Sequence, residues 1–292
     1  MYNIGNMVKV AVVTRTKDRP VFLRRAIESV KDQSYHDYVH VIVNDGGDKD
    51  IVENVLASLG EDITAKIQVF HRPKASNGPD TIFNESIDRV DSEYVVIHDD
   101  DDTWHKDFLL RTVEYLDDNK DLAGVVVKTT NVVEVVTTTG IKVLKKEPWM
   151  PELQAISLYR QFIDNQLTPI AFLFRRSAYK AVGKFDDGLP VVGDWEFGIR
   201  LLQQYEVGFL DLGFALANYH HRKKSRDNSF AKHSHRKYVT QVANKYLRED
   251  LKRGSLGVGY IISDLKYRQD SSSLFIKKLI PTGILRLVKR SK

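Results

Sequence analysis

The sequence predicts an α/β fold with a largely parallel sheet, and two observations lead to it. Between residues 8 and 98, apolar β-branched segments alternate with segments of helical periodicity, an order that favours parallel strands joined by right-handed crossovers. Polar residues follow three of these predicted strands, at Thr14-Arg15, Asn44-Asp45 and Asp99-Asp102. Because such sheets bind ligands outside the carboxyl ends of their strands, these three positions are the first candidates for a functional site.

Each element of this region has its own signal. VKVAVVT (residues 8–14) is almost wholly apolar, as a strand buried on both faces would be. The next segment predicts a helix, because apolar residues recur at i, i+3, i+4 and i+7 and Pro20 suits its first turn. A strand VHVIVND, a helix IVENVLASLG closed by Gly60, a strand IQVF, a helix around PDTIFNESIDRV and a strand EYVVIH follow in that order.

After about residue 124 the pattern changes. GVVVKTTNVVEVVTTTGIKVL predicts strands with a turn near Thr139-Gly140, and KKEPWMPE predicts a loop. TPIAFLFRRSAYKAVGKFDD then predicts a strand, a short helix and a loop, and VGDWEFGIRLLQQY predicts a helix. VGFLDLGFALANYHHR predicts further strands, and the chain beyond Lys223 is basic with helical stretches.

Composition limits the class of protein. With 292 residues and 42% hydrophobic content, the chain can bury a large core, and with no cysteine any metal must bind oxygen or imidazole. No apolar run reaches the roughly 18–20 residues that span a bilayer, which predicts a cytosolic protein or one on the cytosolic face of a membrane. Between Arg222 and Arg253, eleven Lys/Arg face three Asp/Glu, so this end should favour an anionic partner.

The stretch IHDDDDTWHKDF (residues 97–108) contains four consecutive aspartates. At separations of about 4 Å, each pair of carboxylates repels by roughly 1 kcal/mol even in water. Two interpretations remain open from the run alone: a solvated acidic loop, or a site for a hard divalent cation that removes the repulsion. An EF-hand is excluded, because its loop needs spaced ligands, a central Gly and a terminal Glu.

Several of these motifs occur in an order that resembles one family. VVTRTKDRPVFLRRAIESVKDQSY, VIVNDGG, DDDDTW, FRRSAYKAVGKFDDGL and VGDWEFGIRLL resemble the motifs of inverting glycosyltransferases of family 2, across roughly residues 8–228. The resemblance implies a GT-A fold: a Rossmann-like nucleotide-binding half with a mixed central sheet flanked by helices. It implies a domain over residues 1–235, with a donor-binding half to about 123 and an acceptor half from 124, and a basic, mainly helical extension over 236–292.

By this resemblance, Thr14 and Arg15 lie beside the nucleotide base, and Asp45 accepts a hydrogen bond from the pyrimidine N3–H. A carboxylate accepts and does not donate at pH 7, so Asp45 suits uracil or thymine, which carry that donor. The alternative for Asp45 is a turn residue in Asn-Asp-Gly-Gly, and both roles can hold at once.

The family's Asp-x-Asp motif falls on Asp99 and Asp101, which implies Mn²⁺ or Mg²⁺ bound with the donor's diphosphate. Asp101 is the expected direct ligand, and Asp99 the expected contact to the ribose or to a metal-bound water. Asp100, also a nucleotide-binding candidate, and Asp102 could share those tasks. His220 is a further candidate for the metal or diphosphate.

Asp194 resembles the family's catalytic base, with Glu196 as the fallback. The alternative for Asp194 is a helix N-cap. Arg222 is a diphosphate candidate because its fork of donors suits phosphate oxygens, the alternative being a solvated basic loop. Trp104 and Trp195 are candidates for walls against a sugar ring, although aromatic side chains near a core are more often packing residues.

Together these features imply a metal-dependent inverting glycosyltransferase that moves a sugar from a UDP- or dTDP-sugar to a hydroxyl of a glycan or lipid-linked acceptor. The pathway implied is bacterial surface-polysaccharide synthesis, such as lipopolysaccharide or capsule. The alternatives are a sugar nucleotidyltransferase, for which a Gly-rich triphosphate loop near the N-terminus is lacking, and a nucleic-acid-binding protein, for which no recognised motif occurs. We therefore expect no nucleic acid partner, and the oligomeric state stays open.

The final stretch, IKKLIPTGILRLVKRSK, interleaves basic and apolar residues. It suits an interfacial helix on anionic lipid, so we expect possible peripheral membrane contact at the basic C-terminus. Pro281 and Gly283 interrupt it, which leaves a packed or disordered tail as the alternative.

Overall fold

The computed structural model describes residues 7–138, 140–222 and 235–279. The chain divides into two units, one formed by Met1–Gln161 with Asn165–Ser234, the other by Phe162–Asp164 with His235–Lys292. The C-terminal tail from residue 280 and the basic residues 223–234 lie outside the described residues, so the predicted interfacial helix is not described.

The first unit is built on a seven-stranded sheet whose centre is parallel. Strand β1 (Val8–Thr16) lies between β2 (Tyr38–Asn44) and β4 (Ser92–Ile97), and β3 (Ile67–His71) extends the sheet beyond β2. All seven residues of β2 are buried, as expected for a strand covered on both faces. The strands predicted up to residue 98 are therefore confirmed.

Helices cover both faces of this sheet. Helix α1 (Pro20–Lys31) starts with Pro20 and buries Leu23 and Ile27 in a cluster with Ile42 of β2. The burial of these positions at i and i+4 is what the sequence periodicity predicts. The other helices of this half are α2 (Lys49–Ala57), α3 (Glu61–Thr64), α4 (Pro79–Arg89) and α5 (Phe108–Asp118).

Three further strands make the sheet mixed. Strand β9 (Phe172–Arg175) runs antiparallel between β4 and β6 (Gly124–Val127), and β10 (Val207–Leu210) pairs parallel with β6 at the edge. A Cβ on Gly124 would lie 2.5 Å from the Phe172 ring, so this close pairing requires glycine. The predicted α/β fold with a mixed central sheet flanked by helices is confirmed.

A second, four-stranded sheet has the order β5-β11-β7-β8. It contains β5 (Thr103–Trp104), β7 (Thr129–Thr137), β8 (Gly140–Trp149) and β11 (Ala217–Arg222). The prediction of a loop over KKEPWMPE is wrong for its first part, because β8 continues to Trp149. The antiparallel pairing with β7 has a bulge at Val133/Glu134 and continues past Pro148 to the pair Thr129 and Trp149. Pro148 lacks a backbone N–H, which an edge strand such as β8 tolerates.

The remaining helices of the first unit are α6 (Leu158–Gln161), α7 (Arg176–Val182) and α8 (Gly193–Leu202), with a 3₁₀ turn at Pro169–Ala171. In the second unit, α9 (His235–Arg253) packs on α10 (Val258–Leu279). Gly259 permits this crossing, because a Cβ there would lie 2.0 Å from Leu247 N. None of the helices in the described ranges has the length and apolarity to cross a bilayer.

Candidate active site

The acidic run follows β4 and meets the end of β1. Asp100 is buried, and its Oδ2 accepts a hydrogen bond of 2.8 Å from Thr16 Oγ1 at the last position of β1. Its Oδ1 lies 2.8 Å from Arg19 Nη1, in the loop that leads to α1. Two of the predicted strand ends are therefore brought together, with Thr16 and Arg19 as the contacts.

Asp101 binds two guanidinium groups. Its Oδ2 accepts from Arg19 Nη2 at 2.7 Å and from Arg222 Nη2 at 2.5 Å. Burial favours a neutral carboxyl, but the two arginines outweigh it and lower the pKa of Asp101. Asp101 is therefore ionised at neutral pH, and Arg222 reaches the acidic run from β11.

Asp99, like Asp101, is partly exposed, whereas Asp100 and Asp102 are buried. Within the described residues, no side chain or backbone group forms a hydrogen bond to its carboxylate. Burial, then the charges of Asp101 and Asp100, raise the pKa of Asp99 to about 7. A cation or a ribose hydroxyl arriving at Asp99 would relieve this unfavourable charge.

Strand β11 places its backbone against Asp102. The short antiparallel pairing of β5 with β11 brings His220 N to 2.7 Å from Asp102 Oδ1. The other oxygen, Oδ2, is buried and has no hydrogen-bond partner in the described parts of the chain. Burial and the neighbouring aspartates raise the pKa of Asp102 well above its usual range.

Glu134 completes the cluster, and the sequence analysis did not select it. It is fully buried on β7 and binds Arg25 Nη1 at 2.9 Å and His220 Nδ1 at 2.8 Å. Burial raises its pKa, but the hydrogen bonds from His220 and Arg25 outweigh this and lower the pKa of Glu134 to about 2. The signal for Glu134 was a lone charge within the apolar run VVEVV.

The structure does not present His220 to a metal. Its Nδ1 faces Glu134, and its Nε2 lies 3.0 Å from Thr103 Oγ1, so both ring nitrogens are engaged. A metal at His220 must replace one of these contacts, so its role as a ligand stays a prediction. Its physical role here is to join β11 to Glu134 and β5.

The expected nucleotide-base residues lie at the ends of β1 and β2. Asp45 is fully buried, and its oxygens accept from Arg15, Arg72 and Ser76 at 2.7–3.0 Å. Burial raises its pKa, but the Ser76 hydrogen bonds and Arg15 lower the pKa of Asp45 overall. A base reaching Asp45 must replace one of these donors, so its contact to N3–H stays a prediction.

Thr14 points away from this group. Its side chain is fully buried, and Oγ1 lies 2.8 Å from His40 Nε2 inside the sheet. The prediction of Thr14 beside the base is not matched by this orientation, because β1 continues for two residues and ends at Thr16. Alternation along a strand puts Thr14 and Thr16 on the same face, but only Thr16 reaches the acidic run.

Asp194 is the second residue of α8, after Val192, which caps the helix with φ 65°. The N-cap alternative is therefore excluded for Asp194. Its Oδ2 accepts from Asn165 Nδ2 at 2.8 Å, and burial raises its pKa, with the backbone N–H of Trp195 and Asn165 opposing this. Its charge also contributes to the raised pKa of Asp99, so the two carboxylates share one electrostatic environment.

Asp80 lies directly beside Asp194, and the sequence analysis did not select it. Its Oδ2 would lie 1.6 Å from a Cβ on Gly193, so only glycine fits before Asp194. That oxygen is buried and has no hydrogen-bond partner among the residues described. Burial and then the charge of Asp194 raise the pKa of Asp80 well above its usual range.

The fallback base, Glu196, does not face this group. It is fully buried, and Arg200 binds its Oε2 at 2.8 Å through Nη2 while also donating to the carbonyls of Val182 and Gly183. An ion pair of this kind fixes α7 against α8. The structure therefore gives Glu196 a structural contact instead of a place at the acidic run.

Trp104 and Trp195 are packing residues in this structure. Trp104 stacks on Phe108 with ring centroids 4.2 Å apart and donates from Nε1 to Ile170 O. Trp195 donates from Nε1 to Gln161 O at 2.5 Å, and both indoles are buried. The prediction that they form walls for a sugar is contradicted, because neither ring offers an open face.

The donor set suits a hard divalent cation only in combination with a substrate. In the described parts of the chain, no three His, Asp or Glu side chains converge as a metal site. Oδ1 of Asp101 accepts no hydrogen bond from the described residues, and neither does the carboxylate of Asp99. These oxygens are therefore available to a cation. Mg²⁺ typically takes one or two carboxylates plus phosphate oxygens, so these residues fit a cation that arrives with a diphosphate.

The mixed sheet order and the aspartates after β4 are what the resemblance to glycosyltransferases of family 2 leads us to expect, and sequence comparison supports that membership. The family model for glycosyl transferase family 2 matches residues 11–183, and the chain belongs to that family.

Relatives and solved structures agree with this membership. A Campylobacter jejuni GalNAc(5)-diNAcBac-PP-undecaprenol beta-1,3-glucosyltransferase is 32% identical over 96 residues, covering 33% of this chain and 30% of the relative. The succinoglycan biosynthesis protein ExoW of Rhizobium meliloti is 34% identical over 105 residues, covering 35% and 32%. The matched segments thus span about a third of the length of these relatives.

Among solved structures, S. aureus TarS 1-349 in complex with UDP-GlcNAc superposes with a TM-score of 0.61 at 17% identity, covering 82% of this chain and 66% of that one. The mannosyltransferase PcManGT from Pyrobaculum calidifontis, in complex with GDP-Man and Mn²⁺, gives a TM-score of 0.54 at 12% identity, covering 99% and 81%. These likenesses confirm the GT-A fold.

Proposed function

We propose that the protein is an inverting glycosyltransferase that moves a sugar from a nucleoside-diphosphate sugar, with UDP or dTDP favoured, to a hydroxyl of a glycan or lipid-linked acceptor. The observation that carries the proposal is the acidic run Asp99–Asp102 at the sheet edge, where Asp101 binds two arginines. Asp194 lies close enough for its charge to raise the pKa of Asp99. The family membership and the names of the relatives support it.

The diphosphate is assigned to the arginine side of the site. Arg19 and Arg222 lie on Asp101, and a diphosphate placed there would accept their N–H groups in a charge-assisted, forked geometry. Their positive charge would stabilise the negative charge that develops on the departing nucleoside diphosphate. Asp45 and Arg15, at the ends of β2 and β1, are assigned to the base.

Asp194 is assigned as the general base. In an inverting transfer the acceptor oxygen attacks the anomeric carbon directly, and its proton must move to a nearby carboxylate. Asn165 donates to Oδ2 of Asp194 and fixes the orientation of the carboxylate that would receive that proton. The raised pKa of Asp194 makes it a stronger base than an exposed aspartate.

A divalent cation, Mn²⁺ or Mg²⁺, is proposed as the cofactor, held by Asp101 and Asp99 together with the diphosphate. When bound, such a cation supplies Lewis-acid stabilisation of the leaving group. The complex of PcManGT with GDP-Man and Mn²⁺ supports this assignment.

The names of two relatives support a proposal for the pathway. The glucosyltransferase from C. jejuni is named for an undecaprenol-linked acceptor, and ExoW for succinoglycan biosynthesis. We therefore assign the protein to polysaccharide biosynthesis, with a lipid-linked acceptor at the cytosolic face of a membrane as the specific case.

The test is nucleoside diphosphate release from a panel of UDP- and dTDP-sugars with lipid-linked and free glycan acceptors. The proposal expects acceptor-dependent release by the wild type and none by Asp194→Asn. Release of pyrophosphate from UTP plus a sugar phosphate, without transfer, would instead support the nucleotidyltransferase alternative.

A further inference from the structure

The β7–β8 hairpin carries an exposed apolar tip. Val136 is 53% exposed, Val143 46% and Leu144 55%, and Val135 is also exposed. These residues lie close together, because Val136 pairs with Ile141 and Val135 with Lys142 across the ladder, and Leu144 falls at the bulge. A group of exposed apolar side chains on one protruding element is a feature of interaction sites.

Lysines accompany this apolar tip. Lys142, Lys145 and Lys146 are exposed, and the stretch VVTTTGIKVLKK (residues 135–146) contains no Asp or Glu. Glu147 forms an ion pair with Lys145 at 2.5 Å, which leaves the tip with net positive charge. The combination of apolar and cationic residues complements a surface that has anionic head groups above an apolar interior.

The edge position of β8 also bears on the partner. Within the described strands, β8 pairs with β7 and its other edge is open. A second copy added along that edge would bring the lysines of two chains together, and like charges across a strand pair destabilise it. The charge of the tip therefore favours an anionic surface over a second copy.

The base of the hairpin lies at the acidic cluster. Glu134 on β7 binds Arg25 and His220, and the tip begins one residue later. From Glu134 to Thr137 the strand extends about 10 Å, at roughly 3.3 Å per residue. A surface that contacts the tip would therefore lie within reach of the proposed site.

We propose that the described residues at the tip of the β7–β8 hairpin, 135–138 and 140–146, dock on a membrane surface that contains anionic lipid. Val136, Val143 and Leu144 enter the head-group region, and the three lysines contact lipid phosphates. This contact does not depend on the transfer chemistry, since it needs neither donor nor acceptor. It is also separate from any contact made by the C-terminal tail.

The experiment is sedimentation of the full chain with vesicles of equimolar phosphatidylglycerol and phosphatidylcholine, without nucleotide, and with vesicles of phosphatidylcholine alone. Val136→Ser with Leu144→Ser should weaken binding to the anionic vesicles about tenfold or more, because two large apolar contacts are lost. The triple change of Lys142, Lys145 and Lys146 to Gln should weaken it about a hundredfold, at roughly fivefold for each lysine, and reduce its dependence on salt.

Matched controls separate the hairpin from general surface charge. Changing Lys31, Lys120 and Lys180 to Gln removes the same charge elsewhere, and Leu212→Ser removes an exposed leucine elsewhere. Both controls should bind like the wild type. Hairpin variants that bind as tightly as the wild type, or a wild type that binds neither vesicle, would overturn the proposal.

A second readout locates the contact. Because the chain has no cysteine, Leu144→Cys gives a single attachment point for an environment-sensitive dye. The emission should shift to the blue with anionic vesicles, and a dye at Lys120→Cys should not respond. An unchanged emission at position 144 would refute membrane docking by this hairpin. So would a dimer that sedimentation velocity detects without lipid and that persists when the three hairpin lysines are changed to Gln.

Discussion

Replacing Asp101 by Asn tests how the acidic run combines binding with stability. The carboxylate joins Arg19 on the loop before α1 to Arg222 on β11 through one oxygen. Asn has almost the same shape and keeps an acceptor oxygen, but it removes the negative charge. Metal-dependent nucleotide binding should be lost, while the fold should survive.

The cost in stability can be bounded from the contacts. Removing one partner of a buried ion pair typically costs about 3–5 kcal/mol. Here both arginines keep a second carboxylate: Arg19 binds Asp100 at 2.8 Å, and Arg222 lies 3.5 Å from Glu134. We therefore expect a loss of about 1–2 kcal/mol, because neither guanidinium is left without a counter-charge.

The assay is thermal unfolding of the variant beside the wild type, with nucleotide titration on the same samples. For a chain of this size, about 1–2 kcal/mol lowers Tm by roughly 2–8 °C. A variant that fails to fold would show that Asp101 is chiefly structural. A variant that binds UDP with Mn²⁺ as tightly as the wild type would refute Asp101 as a ligand.

Three further predictions concern other parts of the site. Asp194→Asn should lower kcat by about 10²–10⁴-fold in turnover assays and leave the affinity for UDP unchanged in titrations. An equal loss of kcat and of UDP affinity would instead assign Asp194 to donor binding. Burial lowers the pKa of His40 to about 3 and of His98 to about 4, so both stay neutral in the fold while the unfolded chain takes up protons below pH 6.5. The contribution of the two histidines to the free energy of unfolding should be at its maximum above pH 6.5. It should fall by about 1.4 kcal/mol per pH unit for each histidine between pH 6.5 and 4. Urea titrations that show no such slope, or the same slope in His40→Gln, would contradict this. Gly193→Ala should cost about 1–3 kcal/mol, because its Cβ would overlap Asp80, and Asp80→Ala should restore part of the loss in a double-mutant cycle; strictly additive effects would argue against that contact.

The sequence predicts most strands and helices of the first unit because their periodicity is local. The buried strand VKVAVVT and the helix after it appear where apolar spacing places them. The loop predicted over KKEPWMPE failed because pairing with β7 extends β8 through charged residues, and such pairing has no local signal. The acidic run was found for the same reason as the helices: it is contiguous.

The partners of the acidic run could not be found this way. Arg19 and Arg25 lie far along the chain from the acidic run and from Glu134, and they meet these residues only through the sheet topology. An arginine on an amphipathic helix such as α1 is usually solvated, so its pattern gave no reason to select it. Trp104 shows the opposite error, because the indole selected near the motif proves to be a packing residue against Phe108.

The most direct test of the central claim is calorimetric titration of UDP and dTDP into the purified protein, with and without Mn²⁺. The account predicts that Mn²⁺ alone binds weakly, because Asp101 is held by two arginines, and that nucleotide and Mn²⁺ bind together with mutual enhancement. Absence of nucleotide binding under every condition would contradict the assignment of the acidic run to a donor diphosphate.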